Sequence, residues 1–388
     1  MKVAVIGLGA AGGAAARFLA RAGHDVTGFE QFRIGHDRGS SHGESRIVRY
    51  TYPDPFYSEL MAEAFPLWDA LERDAGESFL VRNGCLFIGP PEHPEMIGVA
   101  RALDDAGVRY ETLSAADAQA RFPALRLRPD EIGVFQREGG FIRAGATVAA
   151  TARLARNAGA AIREETPVAG IEERGGRVIL RAADGSEDAV DAAIVAAGAW
   201  AGKLLASAGL PLRVTREQFV YFGIARNPDR FTPERLPVWI DAASYDYGFP
   251  SDGREEGVKI SLHRSGQECD PDTVIKAPDA VFAQARAAYA SFRLPDLDGT
   301  VLDAKICLYT STPDEDFIVD RAPGFERVWL ASACSGHGFK FAILIGKIAA
   351  SLAVSGAPAT RDEDAAARGL YTRAMQRFSL SRFKGSRR

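Results

Sequence analysis

The chain opens on the apolar run KVAVIG, continues through the small-residue stretch AAGGAAARFLARAG, and returns to apolar positions in HDVTGFE. A short run that is apolar throughout predicts a buried strand, small residues ending at Gly23 predict a helix, and the third stretch predicts a second strand. In FYSELMAEAFPLWDALER the apolar positions recur at helical spacing, with Phe56, Leu60, Ala64, Leu67 and Leu71 on one face of an amphipathic helix. VRNGCLFIG reads as a strand followed by the loop PPEHPE, and GGFIRAGATVAATARLARNAG contains a further helix. GAAIREE and TPVAGIEERGGRVILRAADG follow, then DAVDAAIVAAGAWAGKLL, a buried strand running through a glycine turn into a helix. From Arg213 to Thr312 strands alternate with loops such as SDGREEG, with one helix in PDAVFAQARAAYASF. Beyond Phe317 the strand, glycine turn and helix order returns in RVWLASA, CSGHG and FKFAILIGKIAASLAV.

Dinucleotide-type pieces at the start, middle and end predict a mixed α/β (α+β) chain of two domains. A discontinuous Rossmann-like domain takes residues 1–80, 141–212 and 313–388, and a sheet-rich substrate domain takes 81–140 and 213–312. The length of 388 residues suits this division, since single cores stop growing at about 250 to 300 residues. With 47 basic and 51 acidic residues the net charge is -4, which leaves no broad positive field for nucleic acid or an anionic membrane. The basic end SRFKGSRR reads as a solvated tail. No run reaches the roughly 18 uninterrupted apolar residues of a membrane span, because Lys347 interrupts FAILIGKIAASLAV. The N-terminal apolar stretch is punctuated by glycine and has no cleavage site, so a soluble, cytoplasmic protein is expected. Cys85, Cys269, Cys307 and Cys334 show neither C-x-x-C nor a histidine pair at ligand spacing, so no metal centre and no disulfide framework are expected.

Gly7, Gly9 and Gly12 form G-x-G-x-x-G between strand and helix, where glycine permits a tight turn and close approach of backbone to a pyrophosphate. Glu30 ends the second strand, where a carboxylate accepts hydrogen bonds from ribose hydroxyls. The alternative is an ordinary glycine turn. A second close approach at Gly198, in AAIVAAGAWAG, favours FAD over NAD without deciding between them. In SSHGESRIVRYTY, Arg46 and Arg49 share a face if the stretch is helical, and with His42 they make a local positive field. Such a field suits a carboxylate substrate or an anionic reduced cofactor; the alternative is a solvated basic loop. Strand alternation in GVKISLH puts Lys259, Ser261 and His263 on one face, and an inward lysine there needs a partner or a function unless the strand is an edge. Cys307 and Tyr309 also share a strand face, although a cysteine alone reads as a small buried residue. In ACSGHGFKF, Gly336 and Gly338 free backbone N–H groups at a helix start beside Lys340, which stabilises negative charge on a ring oxygen. The alternative there is a plain helix entry with His337 and Lys340 in water.

The glycine motif, SHGESRIVR, YGFP, GVKISLH, CLYTSTPDEDFIVD and SGHGFKF, in this order over nearly the whole chain, resemble the monomeric sarcosine oxidase and N-methyltryptophan oxidase family within the D-amino-acid-oxidase-like flavoproteins. The resemblance implies an FAD-dependent oxidase of secondary amines such as N-methyl amino acids. The C–N bond becomes an imine that hydrolyses, and O2 becomes H2O2. A cyclic imino acid such as pipecolate, a specialised-metabolite amine, or a dehydrogenase with another electron acceptor fits the same resemblance. It implies FAD joined covalently to Cys307, with His42 and Arg46 beside the flavin ring. Arg49 and Lys340 would grip the substrate carboxylate, and Tyr309, His263 and Tyr247 would line the substrate cavity. Lys259 would lie over the flavin and promote reaction with oxygen. Gly7, Gly9, Gly12, Glu30, Val168, Gly198, Gly336, Gly338 and Lys340 complete the cofactor-binding set. The implied partners are an amino-acid-like amine and O2, with no metal, no nucleic acid and no membrane, and the implied state is a monomer. The family's paired histidines before the glycine of the arginine segment are here Ser41 and His42, and the polar loop SDGREEG alters the outer wall of the cavity.

Overall fold

Val3, Ala4 and Val5 are fully buried, as a strand covered on both faces of a parallel sheet requires. The computed structural model describes residues 1–358 and 365–383, so residues 384–388 of the basic tail lie outside the described residues. The strand Lys2–Ile6 pairs in parallel with Asp25–Phe29 on one side and Ala192–Val195 on the other. Ala161–Arg163 lies beyond the former, Val328–Ser332 beyond the latter, and antiparallel Ile318–Arg321 closes the six-stranded sheet. Helices Ala10–Arg21, Ala144–Asn157 and Ala342–Ser355 pack as a layer against it. The last is apolar almost all round because it is enclosed: a Cβ at Gly346 would fall 2.5 Å from the Ala14 Cβ. Among the described residues no helix is long and apolar enough to cross a membrane.

The first turn depends on glycine. Gly7 has φ +87°, and a Cβ at Gly12 would stand 1.9 Å from the Gly7 carbonyl oxygen. Gly12→Ala therefore separates helix from strand and is expected to destabilise the protein by about 1–3 kcal/mol, the usual range for overpacking, measured by denaturant unfolding.

A nine-stranded mixed sheet runs Gln267–Glu268, Arg213–Ile224, Val258–Leu262, Asp246–Phe249, Val238–Asp241, Cys85–Gly89, Ile132–Gln136, Glu111–Ser114, and Leu297–Ser311 pairs along Arg213–Ile224. Its register sets Glu217 opposite Cys307 and Thr215 opposite Tyr309. Helix Ala280–Arg293 covers this sheet and ends on Arg293, whose buried guanidinium reaches the Glu131 carboxylate at 2.7 and 3.0 Å and Asp241 at 2.5 Å. A small sheet of Arg46–Val48, Gly140–Ile142 and Leu80–Val81 lies between the two large ones. The arginine segment is thus extended rather than helical, and Arg46 and Arg49 do not share a helix face.

Candidate active site

A cavity of about 700 Å³ lies where the two large sheets meet, a size within the usual range of cofactor and substrate sites. Its deep end is walled by Gly7, Gly9, Ala10 and Ala11 at the start of helix Ala10–Arg21. That helix has no side-chain cap from Gly9 and no acidic residue in its first turn; Ala10 N donates to Ser41 Oγ at 3.1 Å, and the N-terminal dipole favours an anion. Glu30 is buried beside them, its carboxylate accepting from Leu8 N at 2.9 Å and Phe32 N at 3.1 Å. Gly198, at φ +52°, leaves open space where a Cβ would stand, and it lines the cavity together with Val168, Thr166 and Trp200. The helix N-terminus without an acidic residue, the fixed carboxylate and the glycine-cleared wall fit a dinucleotide.

In the middle of the cavity the Cys307 Sγ lies 3.8 Å from the Ser40 carbonyl and 3.6 Å from Arg46 Nη2. Burial pushes the thiol pKa up, and the Arg46 guanidinium pulls it back. Arg46 donates to the carbonyls of Ser45 (2.9 Å), Ser40 (3.0 Å) and His42 (2.7 Å), so it clamps its own loop against the cysteine. Lys259 is buried, with Nζ donating to Ser45 O at 3.0 Å and Ser45 Oγ at 3.3 Å, and with the Phe219 and Phe249 rings 4.2 and 4.6 Å away. Burial, and then Arg46, push its amine well below the ordinary lysine value. Ser261 and His263 line the same wall, as the alternation of GVKISLH predicts.

Towards the outside, Arg49 and Lys340 converge on Tyr52. The guanidinium stands 4.2 Å over the phenol ring, and Lys340 Nζ donates to Tyr52 Oη at 3.0 Å and to the His337 carbonyl at 2.8 Å. Burial, and then Arg49, lower the Lys340 pKa far below its ordinary value. His337 is half-buried, within 3.2 Å of Tyr52 Oη and 3.1 Å of the Glu315 carbonyl, so neither His337 nor Lys340 is a solvated helix-entry residue. The facing wall carries Tyr247, His263 and Tyr309, the last two with ring centroids 5.8 Å apart. Gly336, at φ +74°, fits against them because a Cβ would fall 2.4 Å from the Tyr309 ring and 2.6 Å from His263. Gly338 lines the turn beside it.

Two expected site residues do not line the cavity. Gly12 packs beneath the first turn, and the His42 ring is buried behind the wall, its Nε2 without a hydrogen-bond partner among the described residues. His42 reaches the site only through its carbonyl on Arg46. The structure adds Tyr52, His337, Phe219, Phe249 and Glu217 to the lining. Glu217 is buried and raised by that burial, its carboxylate accepting from Thr215 Oγ1 at 2.6 Å and Ser265 N at 3.1 Å. The only signal for it in the sequence is a lone acid in the apolar alternation of REQFVYF.

Burial lowers both His42 and His263 to about 3. Between that value and the unfolded value of about 6.5 the unfolded chain binds more protons, so stability falls as pH falls through this window. Melting temperature is expected to drop steadily below about pH 6.5. His263→Asn should shallow that slope, which thermal scans from pH 7 to 4.5 would register.

Residues 2–352 match the family described as DAO, FAD dependent oxidoreductase. The chain belongs to that family. DAO-family relatives include monomeric sarcosine oxidase of Streptomyces avermitilis, 36% identical over 363 residues, covering 92% of this chain and 94% of the relative. N-methyl-L-tryptophan oxidase of Salmonella heidelberg is 33% identical over 361 residues, covering 91% and 95%. Among solved structures, NikD, an unusual amino acid oxidase essential for nikkomycin biosynthesis, superposes with TM-score 0.81 at 25% identity, over 94% of this chain and 96% of that one. As a DAO-family member the protein is an FAD-dependent oxidoreductase, and the glycine-walled end of its cavity is where the dinucleotide fits.

Proposed function

We propose that this protein oxidises N-methyl amino acids, converting the C–N bond to an imine that water hydrolyses, and returns the electrons to O2 as H2O2. The observation that carries the reading is the pair Arg49 and Lys340, two basic side chains that converge on Tyr52 in a cavity also lined by aromatic rings, Cys307 and Lys259, where a bound carboxylate would favour the protonated lysine. The names of the sarcosine and N-methyltryptophan oxidase relatives support it.

Bound FAD, linked through Cys307, supplies the two-electron acceptor for the amine and the donor for oxygen. Arg49 and Lys340 hold the substrate carboxylate, and Tyr52, hydrogen-bonded to Lys340, fixes their separation. Holding that end orients the amine and its N-methyl group toward the cavity floor, so positioning carries much of the rate. Tyr247, His263 and Tyr309 close the opposite side and exclude water. His263 in the wall is lowered to about 3 by burial, which makes it a weak base and suits an amine that binds in its neutral form. Lys259 becomes charged most readily when negative charge develops beside it, which is the condition created as oxygen accepts electrons.

In this reading segments 1–80, 141–212 and 313–388 form the FAD-binding domain and 81–140 and 213–312 the substrate domain; the division follows the two large sheets. A monomer follows the name of the Streptomyces relative, and four unpaired cysteines suit a reducing cytoplasm.

The test is to mix the purified protein with sarcosine and larger N-methyl amino acids while following oxygen, peroxide and flavin absorbance. One peroxide formed per oxygen consumed is the expected result. Anaerobic bleaching without oxygen uptake would instead mean a dehydrogenase, and no bleaching by any N-methyl amino acid would overturn the reading.

A further inference from the structure

We propose that Glu95 reads the substrate's side chain, and that the preferred substrates are N-methyl amino acids whose side chain ends in a cation. This rests on the amine-oxidase reading above and names the substrate class within it.

The carboxylates around the mouth of the cavity are nearly all neutralised. Glu315 pairs with Arg264, Asp314 with Arg382, and Asp54 and Asp316 both with Arg377. Glu95 and the buried Glu217 are the exceptions, and Glu217 is already taken up by Thr215 Oγ1 and Ser265 N. Glu95 lines the cavity half-buried, and among the described residues no lysine, arginine or histidine forms an ion pair with it. Its contact is the Tyr245 hydroxyl at 3.4 Å, a long hydrogen bond that leaves most of its acceptor capacity open.

The surroundings suit an extended ligand charged at both ends. Arg49 and Lys340 take the carboxylate. The Arg49 guanidinium also stands 5.9 Å from the Phe87 ring, and Phe87 and Ile240, paired on adjacent strands, line the wall from there. Glu95 opens the helix Pro94–Asp105 that follows Phe87's strand Cys85–Gly89. Strand pairing and chain order thus join a basic pair, an apolar pair and a free carboxylate in one lining. A methylene stem packs on the apolar pair, and an ammonium or guanidinium at its end meets Glu95.

Tyr245 is part of the same device. Its φ of +60° puts a bulky side chain in the left-handed region, which a non-glycine residue occupies only where its surroundings hold it. That conformation carries the phenol to Glu95, with Arg264 6.0 Å from the ring on the other side. Arg264 is occupied by Glu315 and so does not cancel the charge of Glu95.

The experiment compares kcat/KM for α-N-methyl-L-lysine with that for N-methyl-L-norleucine, which lacks the terminal ammonium, in wild type and in Glu95→Gln, with sarcosine as the control for amine oxidation. Wild type is expected to favour the lysine derivative by about tenfold or more, mostly through KM, as one shielded charge-assisted contact allows. Glu95→Gln should bring the ratio to about one, and Tyr245→Phe should keep the preference because the charge remains. A wild-type ratio near one, with sarcosine oxidised, would overturn this inference alone, even should the variant not fold. An unchanged ratio in Glu95→Gln would do the same. Failure of sarcosine and both larger substrates would overturn the amine-oxidase reading and this inference with it.

Discussion

Replacing Lys259 with methionine is expected to slow reoxidation of the reduced enzyme by oxygen about 10²–10³-fold, the range for removing one preorganised electrostatic partner, while anaerobic reduction by the amine changes only a few-fold. Methionine follows the lysine stem closely and is at home between the Phe219 and Phe249 rings, so the packing survives and the charge is what disappears. The asymmetry follows from the surroundings of the amine. Buried beside Arg46, it holds a proton weakly until an anion forms nearby. Negative charge would develop beside it as oxygen accepts electrons, so the oxygen half-reaction is the one that would use the ammonium. Stopped-flow absorbance in the two half-reactions separates the effects. Equal losses in both would mean that Lys259 shapes the site, through its hydrogen bonds to Ser45, rather than serving oxygen.

Cys307→Ala is expected to release all of the flavin from the denatured polypeptide, whereas the wild-type chain stays yellow after acid or detergent and desalting. Cys307 lies in the cavity wall with a guanidinium 3.6 Å from its sulfur, which offsets part of the rise that burial gives the thiol pKa and stabilises the sulfur as it reacts. Cys334 supplies an internal control, since it lines the same cavity but its sulfur accepts a hydrogen bond from Thr310 N at 3.4 Å. Cys334→Ala should keep the colour with the chain. Free flavin from wild type would remove the covalent link and leave the FAD dependence intact.

Patterns contained within one element were legible in the sequence. The buried strand, glycine turn and helix at the start and near the end appear in the structure, and the alternation of GVKISLH brings Lys259, Ser261 and His263 to one wall. Patterns that depend on a distant partner were not. Arg46 and Arg49 suggest a helix face by their spacing, but Arg46–Val48 is drawn into a strand by Gly140–Ile142, a partner that local periodicity does not reveal. Glu217 reaches the cavity wall because its strand pairs with the one carrying Cys307, and nothing within REQFVYF encodes that register. Tyr52 gains its place from Lys340, 288 positions away. His42 shows the converse: close to Arg46 in sequence, it nevertheless does not line the cavity.

The order of strands in the six-stranded sheet governs when the site can exist during synthesis. The N-terminal glycine strand emerges from the ribosome first, but its neighbour Ala192–Val195 follows only after half the chain has been made, and that neighbour in turn awaits Val328–Ser332. A nascent chain therefore carries an exposed, fully apolar strand edge through most of translation, the condition under which intermediates aggregate. The complete cavity forms only late in synthesis, because the walls at Gly198 and Gly336 do not yet exist when Gly7 does.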